Sequence, residues 1–170
     1  MGNAETCKNR SHNTLKLFLT NTRSVKGKIT ELNVLTIDYD IICLTETHID
    51  QNIAIRSIIE TPGFNFFRCD RNVNGGGVLV ATRNQVRASE VKLDTLGEEM
   101  VIIRLPSGFA VCCYYRPHAS LKNVDKVNNV RSAFAISKTT NSNHKVILLG
   151  DMTLPGINWT TSLIKKWSLT

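Results

Sequence analysis

Apolar residues in this chain gather into short runs that stop at polar residues, and the spacing inside the runs alternates between two periods. Leu15–Thr20 has the length and composition of a strand. Val25–Ile37 instead spaces Ile29, Leu32, Val34, Leu35 and Ile37 closer to a helical face. Ile41–Thr45 is a continuous apolar run, the pattern of a strand buried on both sides. Strand, helix and strand in this order predict a right-handed crossover. Ile53–Glu60 reads as a short helix that stops before the turn pair Pro62-Gly63. Strands then follow in succession at Phe64–Cys69, Val78–Thr82, Met100–Leu105 and Phe109–Tyr115, each rich in β-branched, aromatic or cysteine residues. Pro106-Ser107-Gly108 predicts a hairpin between the last two, and Asn74-Gly75-Gly76-Gly77 precedes the second. A helical period returns over Val124–Ser137, and Val146–Leu149 is the next buried strand. Residues 1–14 are a polar lead-in, and nothing after Trp159 is strongly patterned.

The length of 170 residues and an apolar fraction of 42% suit one ordinary domain, here residues 15–170. Its 21 basic and 14 acidic residues give a net charge of +7, which favours an anionic partner, nucleic acid or a membrane surface. The basic residues are scattered, so a folded basic surface is expected rather than a disordered tail. Cys43, Cys69, Cys112 and Cys113 lie inside apolar runs; with Cys7 the count is odd, and no pair has zinc-knuckle spacing. Buried reduced thiols in an intracellular protein follow. No membrane span is present, because every apolar run is shorter than the roughly 18 to 20 residues a spanning helix needs. The start, MGNAET, formally matches the pattern for myristoylation of Gly2, with Cys7 as a palmitoylation candidate; so loose a pattern arises often by chance, the favoured explanation. Oligomeric state leaves no mark in the sequence.

Asn21, Glu46, Tyr115-Arg116 and Asp151 all sit at or just past the carboxyl ends of predicted strands, the rim where mixed α/β folds bind ligands. Glu46 offers hard oxygen to Mg²⁺, an asparagine amide can hold metal-bound water or phosphate oxygen, and arginine forks onto phosphate. Together these groups suit phosphodiester chemistry. For Glu46 and Asp151 alone, a surface salt bridge is the competing explanation. The glycine triplet is not a phosphate cradle, since the residues after Gly77 read as a strand rather than a helix. His48 would share the face of Glu46 on an extended chain, yet a single loop histidine is more often a solvated polar group than a ligand. Asp70 and Arg71 read as strand-turn caps, and Trp159 and Trp167 as packing groups.

Taken in order, NTRSV at 21–25, DIICLTET at 40–47, GFNFFRCDR at 63–71, NGGGVLVATR at 74–83, YYRP at 114–117 and ILLGDMTLPGINW at 147–159 resemble the endonuclease/exonuclease/phosphatase superfamily. Within it the likeness is greatest to the endonuclease domain of non-LTR (LINE-type) retrotransposons. The resemblance implies an α/β fold, a four-layer α/β/β/α sandwich of the DNase I-like kind. It also implies Mg²⁺-dependent nicking of DNA, with Mn²⁺ as the alternative ion. Glu46 would be the principal metal ligand, with Asn21 supporting the metal site and the phosphate. Tyr115 would orient the scissile phosphate, Arg116 would help neutralise the backbone, and Asp151 would activate the attacking water. A nuclear location is implied by the resemblance alone.

Two departures from the family pattern stand out. Thr153 replaces the asparagine of Gly-Asp-x-Asn, exchanging a phosphate-directed amide for a hydroxyl; loss of one such donor costs about two to three orders of magnitude in rate. The Ser-Asp-His segment of the family does not occur before Thr170, which is expected to impair or abolish activity, leave the second sheet incomplete and expose apolar surface near Val146–Leu149. Two alternatives therefore stand beside the nuclease: a non-catalytic nucleic-acid-binding remnant, and a phosphoester phosphatase of the same superfamily.

Overall fold

The computed structural model describes residues 14–92, 99–116 and 143–152, together with the backbone of 157–158 and 163–164. The predicted helix over 124–137, Thr153, both tryptophans, Gly2 and Cys7 lie outside the described residues. Among the described residues, two four-stranded mixed sheets form the body of the fold. The first has the order β1 (Leu17–Asn21), β2 (Ile41–Thr45), β4 (Val78–Arg83), β3 (Phe64–Cys69). The second has the order β5 (Ser89–Glu90), β6 (Met100–Arg104), β7 (Phe109–Arg116), β8 (Lys145–Met152). A short antiparallel pair, β9 (Ile157–Asn158) and β10 (Leu163–Ile164), is not signalled by the apolar pattern.

Each sheet contains one parallel pair, β1 with β2 and β7 with β8, while its other neighbours are antiparallel. Parallel neighbours need a crossover, and their carboxyl ends emerge at the same edge. For β1 and β2 the crossover carries α1 (Ile29–Asp38), the predicted helix. It begins four residues later than Val25 because the chain turns at Gly27, φ +80°, with the Lys28 amide donating to the Val25 carbonyl. Val25 itself is fully buried.

Strand alternation sorts the core into layers. Ile41 and Cys43 of β2 and Val78 and Val80 of β4 face Val101, Ile103, Val111 and Cys113 of the second sheet. Ile42, Leu44, Leu79 and Ala81 point the other way and pack with Val25, Leu32, Ile58 and Ile59. Ile102, Ala110 and Cys112 are buried on the outer face of the second sheet. Burying about twenty such side chains, at about 1.5 to 3 kcal/mol each, is the main driving force for this sandwich. Cys43, Cys112 and Cys113 are buried and Cys69 is half-buried, none of the four in a disulfide. Burial pushes the Cys112 thiol up to about 12, so it stays protonated and inert.

Three expectations need correction. The predicted helix over 53–60 is only a single 3-10 turn at Ile55–Ser57. β-branched Ile53, Ile55, Ile58 and Ile59 disfavour a helix, and Asn33 of α1 captures the segment instead, donating to the Ile58 carbonyl at 3.0 Å and accepting from the Glu60 amide at 3.0 Å. β8 is not a buried strand: it is the last strand of its sheet among the described residues, with Ile147 40% and Leu148 43% exposed. Asp70 and Arg71 do more than cap a turn. Asp70 pairs with Arg68, and Arg71 pairs with Glu99 at 3.2 Å.

Candidate functional site

β1 and β2 end together, Asn21 lying opposite Thr45, and the two chains stay zipped beyond their last ladder pair. The Thr22 amide donates to the Thr45 carbonyl at 2.9 Å, and its hydroxyl reaches the carbonyls of Thr45 and Glu46. The Ser24 amide donates to the Glu46 carbonyl at 2.8 Å. These bonds hold Glu46 at φ +52°, a left-handed conformation rare outside glycine and a form of local strain that tends to collect at functional positions. The strand is thereby broken one residue after its apolar run, and the carboxylate is turned to the rim.

In the second sheet Tyr115 lies in register with Asp151, and Tyr114 with Gly150. Tyr115 packs on the inter-sheet cluster, so its register partner Asp151 shares the face turned toward the first sheet. Gly150 makes this approach possible. It stands at φ +144°, and a Cβ there would land on the Tyr114 carbonyl.

The two rims meet at Asn21. Its amide nitrogen donates to Glu46 Oε1 at 2.8 Å and to Asp151 Oδ2 at 2.7 Å, the second of these 130 residues away from Asn21 and in the opposite sheet. Its Oδ1 accepts the Arg23 amide at 3.0 Å, which fixes the orientation of the side chain. Burial, then the neighbouring Glu46 carboxylate, which accepts a hydrogen bond from the phenol, push Tyr115 up to about 12. Tyr115 is therefore a protonated donor at any physiological pH.

Four of the sequence candidates thus surround one point: Asn21, Glu46, Tyr115 and Asp151. Arg116 ends β7 next to Tyr115, half-buried, on the alternate face of the strand. One residue was set aside in the sequence and another was missed. His48 is not simply solvated: its side chain is 22% exposed and its Nε2 lies 3.8 Å from Glu46 Oε2. Glu99, which precedes β6 in an acidic pair that reads as surface, has its carboxylate turned inward against Gly77 and Arg71. Its carboxyl is pushed up by burial, against the opposing pulls of the Gly77 amide and Arg71.

Among the described residues no group of three or more His, Cys, Asp and Glu side chains forms a metal cage. Two half-buried carboxylates sharing one amide offer hard oxygen instead, which suits an ion such as Mg²⁺ that is held by one or two carboxylates with water and substrate phosphate completing its shell. No helix among the described residues is long and apolar enough to cross a membrane.

The model of the Endonuclease/Exonuclease/phosphatase family matches residues 7–166. No curated protein matches the chain. Among solved structures, the 3′ phosphatase NExo of Neisseria bound to a product DNA hairpin is similar at 19% identity and a TM-score of 0.60, over 81% of this chain and 57% of that one. An AP endonuclease from Archaeoglobus fulgidus is similar at 16% identity and a TM-score of 0.59, over 81% of this chain and 57% of that one. A humanized D. rerio TDP2 gives 11% identity and a TM-score of 0.53, over 81% of this chain and 61% of that one. The chain therefore spans less than two thirds of these structures, and at such identities the likeness establishes the DNase I-like fold.

Proposed function

Since the chain belongs to the Endonuclease/Exonuclease/phosphatase family, we propose that its site hydrolyses phosphodiester bonds in DNA with Mg²⁺ or Mn²⁺, as a nicking endonuclease of the retrotransposon type. One observation carries this more than any other: a single amide ties Glu46 of one sheet to Asp151 of the other. Glu46 is the residue that would hold the cation through its carboxylate oxygens. Asn21 supports that site by its hydrogen bonds, its own oxygen being engaged by the Arg23 amide. A bound divalent cation would supply charge neutralisation at the phosphate oxygens as the bond to the leaving oxygen breaks. Tyr115 keeps its proton, which it gives to Glu46 in the metal-free site; with that carboxylate engaged by the cation, the same donor would turn to a phosphate oxygen. Asp151, fixed by Asn21, accepts a proton from the attacking water. Arg116 lies one residue beyond Tyr115, where a guanidinium can pair with the flanking backbone. Thr153 follows Asp151 by two and would contribute a hydroxyl donor.

The retrotransposon assignment rests on the run of six motifs, whose wording around Asp151 favours DNA over lipid headgroups. The solved relatives include enzymes of DNA, among them a 3′ phosphatase, so the assay pairs a supercoiled plasmid with a 3′-phosphorylated oligonucleotide. Expected is Mg²⁺-dependent nicking that EDTA stops and that Glu46→Gln or Asp151→Asn reduces by about two orders of magnitude or more. Release of phosphate without nicking would assign the phosphatase activity instead. Salt-sensitive DNA binding with neither activity would leave a binding protein acting through the +7 surface.

A further inference from the structure

Glu99 lies 53 residues from Glu46 in sequence, yet the hydrogen bonds around the two sides of the site pass through it. Its side chain is 11% exposed. One carboxylate oxygen accepts the Gly77 amide, and the other accepts Arg71 Nη1 at 3.2 Å. The Gly76-Gly77 backbone held in this way turns its carbonyls toward the first sheet, where they accept the amides of Thr47 at 3.3 Å and His48 at 2.9 Å. Those are the two residues directly after Glu46, and Glu46 and His48 are the ones at φ +52° and +54°. A strained segment of this kind keeps its shape only under external restraint. On its other side, the Glu99 carbonyl accepts the Tyr115 amide at 2.9 Å.

The glycines are built around the same contacts. A Cβ on Gly76 would fall on the Glu99 carboxylate and the Arg71 side chain, and one on Gly77 on the Thr47 hydroxyl. Only a bare backbone lets Glu99 and Thr47 close on it from opposite sides. We propose that Glu99 is the positioning residue of the site, clamping the Gly76-Gly77 turn and the Tyr115 backbone so that Glu46 and Tyr115 are held at a fixed separation. The inference rests on the proposed hydrolytic function for its consequence in rate, and on the described contacts alone for its consequence in structure.

Amide hydrogen exchange of the metal-free protein, followed by NMR, tests the structural half. In Glu99→Ala the Thr47 and His48 amides are expected to exchange about tenfold faster or more, while Cys43 in β2 and Leu79 in β4 keep wild-type rates. Glu99→Gln, which retains an acceptor oxygen for the Gly77 amide, is expected to restore the protection. Nicking kinetics test the other half. Glu99→Ala should lower kcat by about 10- to 100-fold, leave KM for DNA within about threefold, and recover most of the loss as Gln. Unchanged Thr47 and His48 exchange, or acceleration of all amides together with Cys43, would overturn the proposal. A wild-type chain that does not nick would overturn the proposed function, while the exchange pattern still decides the place of Glu99.

Discussion

An asparagine side chain has two N–H donors and one carbonyl, and Asn21 engages both ends: its nitrogen serves two carboxylates and its oxygen one backbone amide. Removing it takes away the donor that Glu46 and Asp151 share, so the like charges repel. Asn21→Ala should lower nicking by about two orders of magnitude. Asn21→Asp adds a third carboxylate, and its melting temperature in EDTA should fall below that of the wild type. Mn²⁺ should then raise the melting temperature of the variant by more than that of the wild type, since an ion that binds only the folded state stabilises it by an amount that grows with the logarithm of its affinity. A variant indifferent to Mn²⁺ would argue that no cation sits between these acids. Tyr115 supplies a pH test. Its folded pKa of about 12 lies above the ordinary 10.0, so its contribution to stability is complete below pH 10 and is lost as pH rises through about 12. The phenolate absorbance missing in Tyr115→Phe should appear only near pH 12 in the wild type, and at lower pH in Glu46→Gln.

At the level of elements, the design is two parallel strand pairs, one per sheet, whose carboxyl ends are brought edge to edge. Gly150 sets how close they come. Gly150→Ala places a methyl on the Tyr114 carbonyl at a backbone angle confined almost wholly to glycine, so β8 must shift at its carboxyl end and carry Asp151 away from Asn21. The expected cost is about 1 to 3 kcal/mol in urea denaturation, with a fall in nicking larger than that loss of stability explains. Leu44→Ala, a fully buried residue of β2, should cost about 2 to 5 kcal/mol in stability with no such excess effect on rate. These elements were legible in the sequence because strands, whether fully buried like β2 or partly exposed like β1 and β8, write themselves as apolar runs with a polar residue near the end. Asn21, Glu46 and Asp151 were visible for that reason. Glu99 was not, and His48 was set aside as solvated, because what defines both is a tertiary contact with the Gly76-Gly77 turn, 22 and 28 residues away in sequence from Glu99 and His48 respectively. The helix expected over 53–60 failed for a related cause: Asn33, on a different element, supplies the hydrogen bonds that an isolated helix would have made for itself.

Across the whole molecule the two ends of the sandwich are chemically distinct. At the carboxyl ends of the parallel strands lie Glu46, Asp151 and the exposed Arg23 and Lys26 of the loop after β1. At the opposite end a cavity of about 370 Å³ is lined by Leu15, Asp40, Val86, Arg87 and Leu105, beside the amino ends of β1 and β2. A net charge of +7 spread over the surface would attract DNA to any face, and affinity alone cannot say which face is used. The salt dependence can, because each phosphate neutralised by a lysine or arginine adds about 0.9 to the slope of log K against log salt on duplex DNA. If DNA lies across the site, Arg23→Ala and Lys26→Ala should each lower that slope by up to about 0.9, and Arg87→Ala should leave it unchanged. Measured in EDTA by fluorescence anisotropy, this result is independent of turnover and of any bound cation. An equal loss of slope from Arg87→Ala would show that the charge acts diffusely, and that Arg23 and Lys26 do not mark out a DNA-binding face beside Glu46 and Asp151.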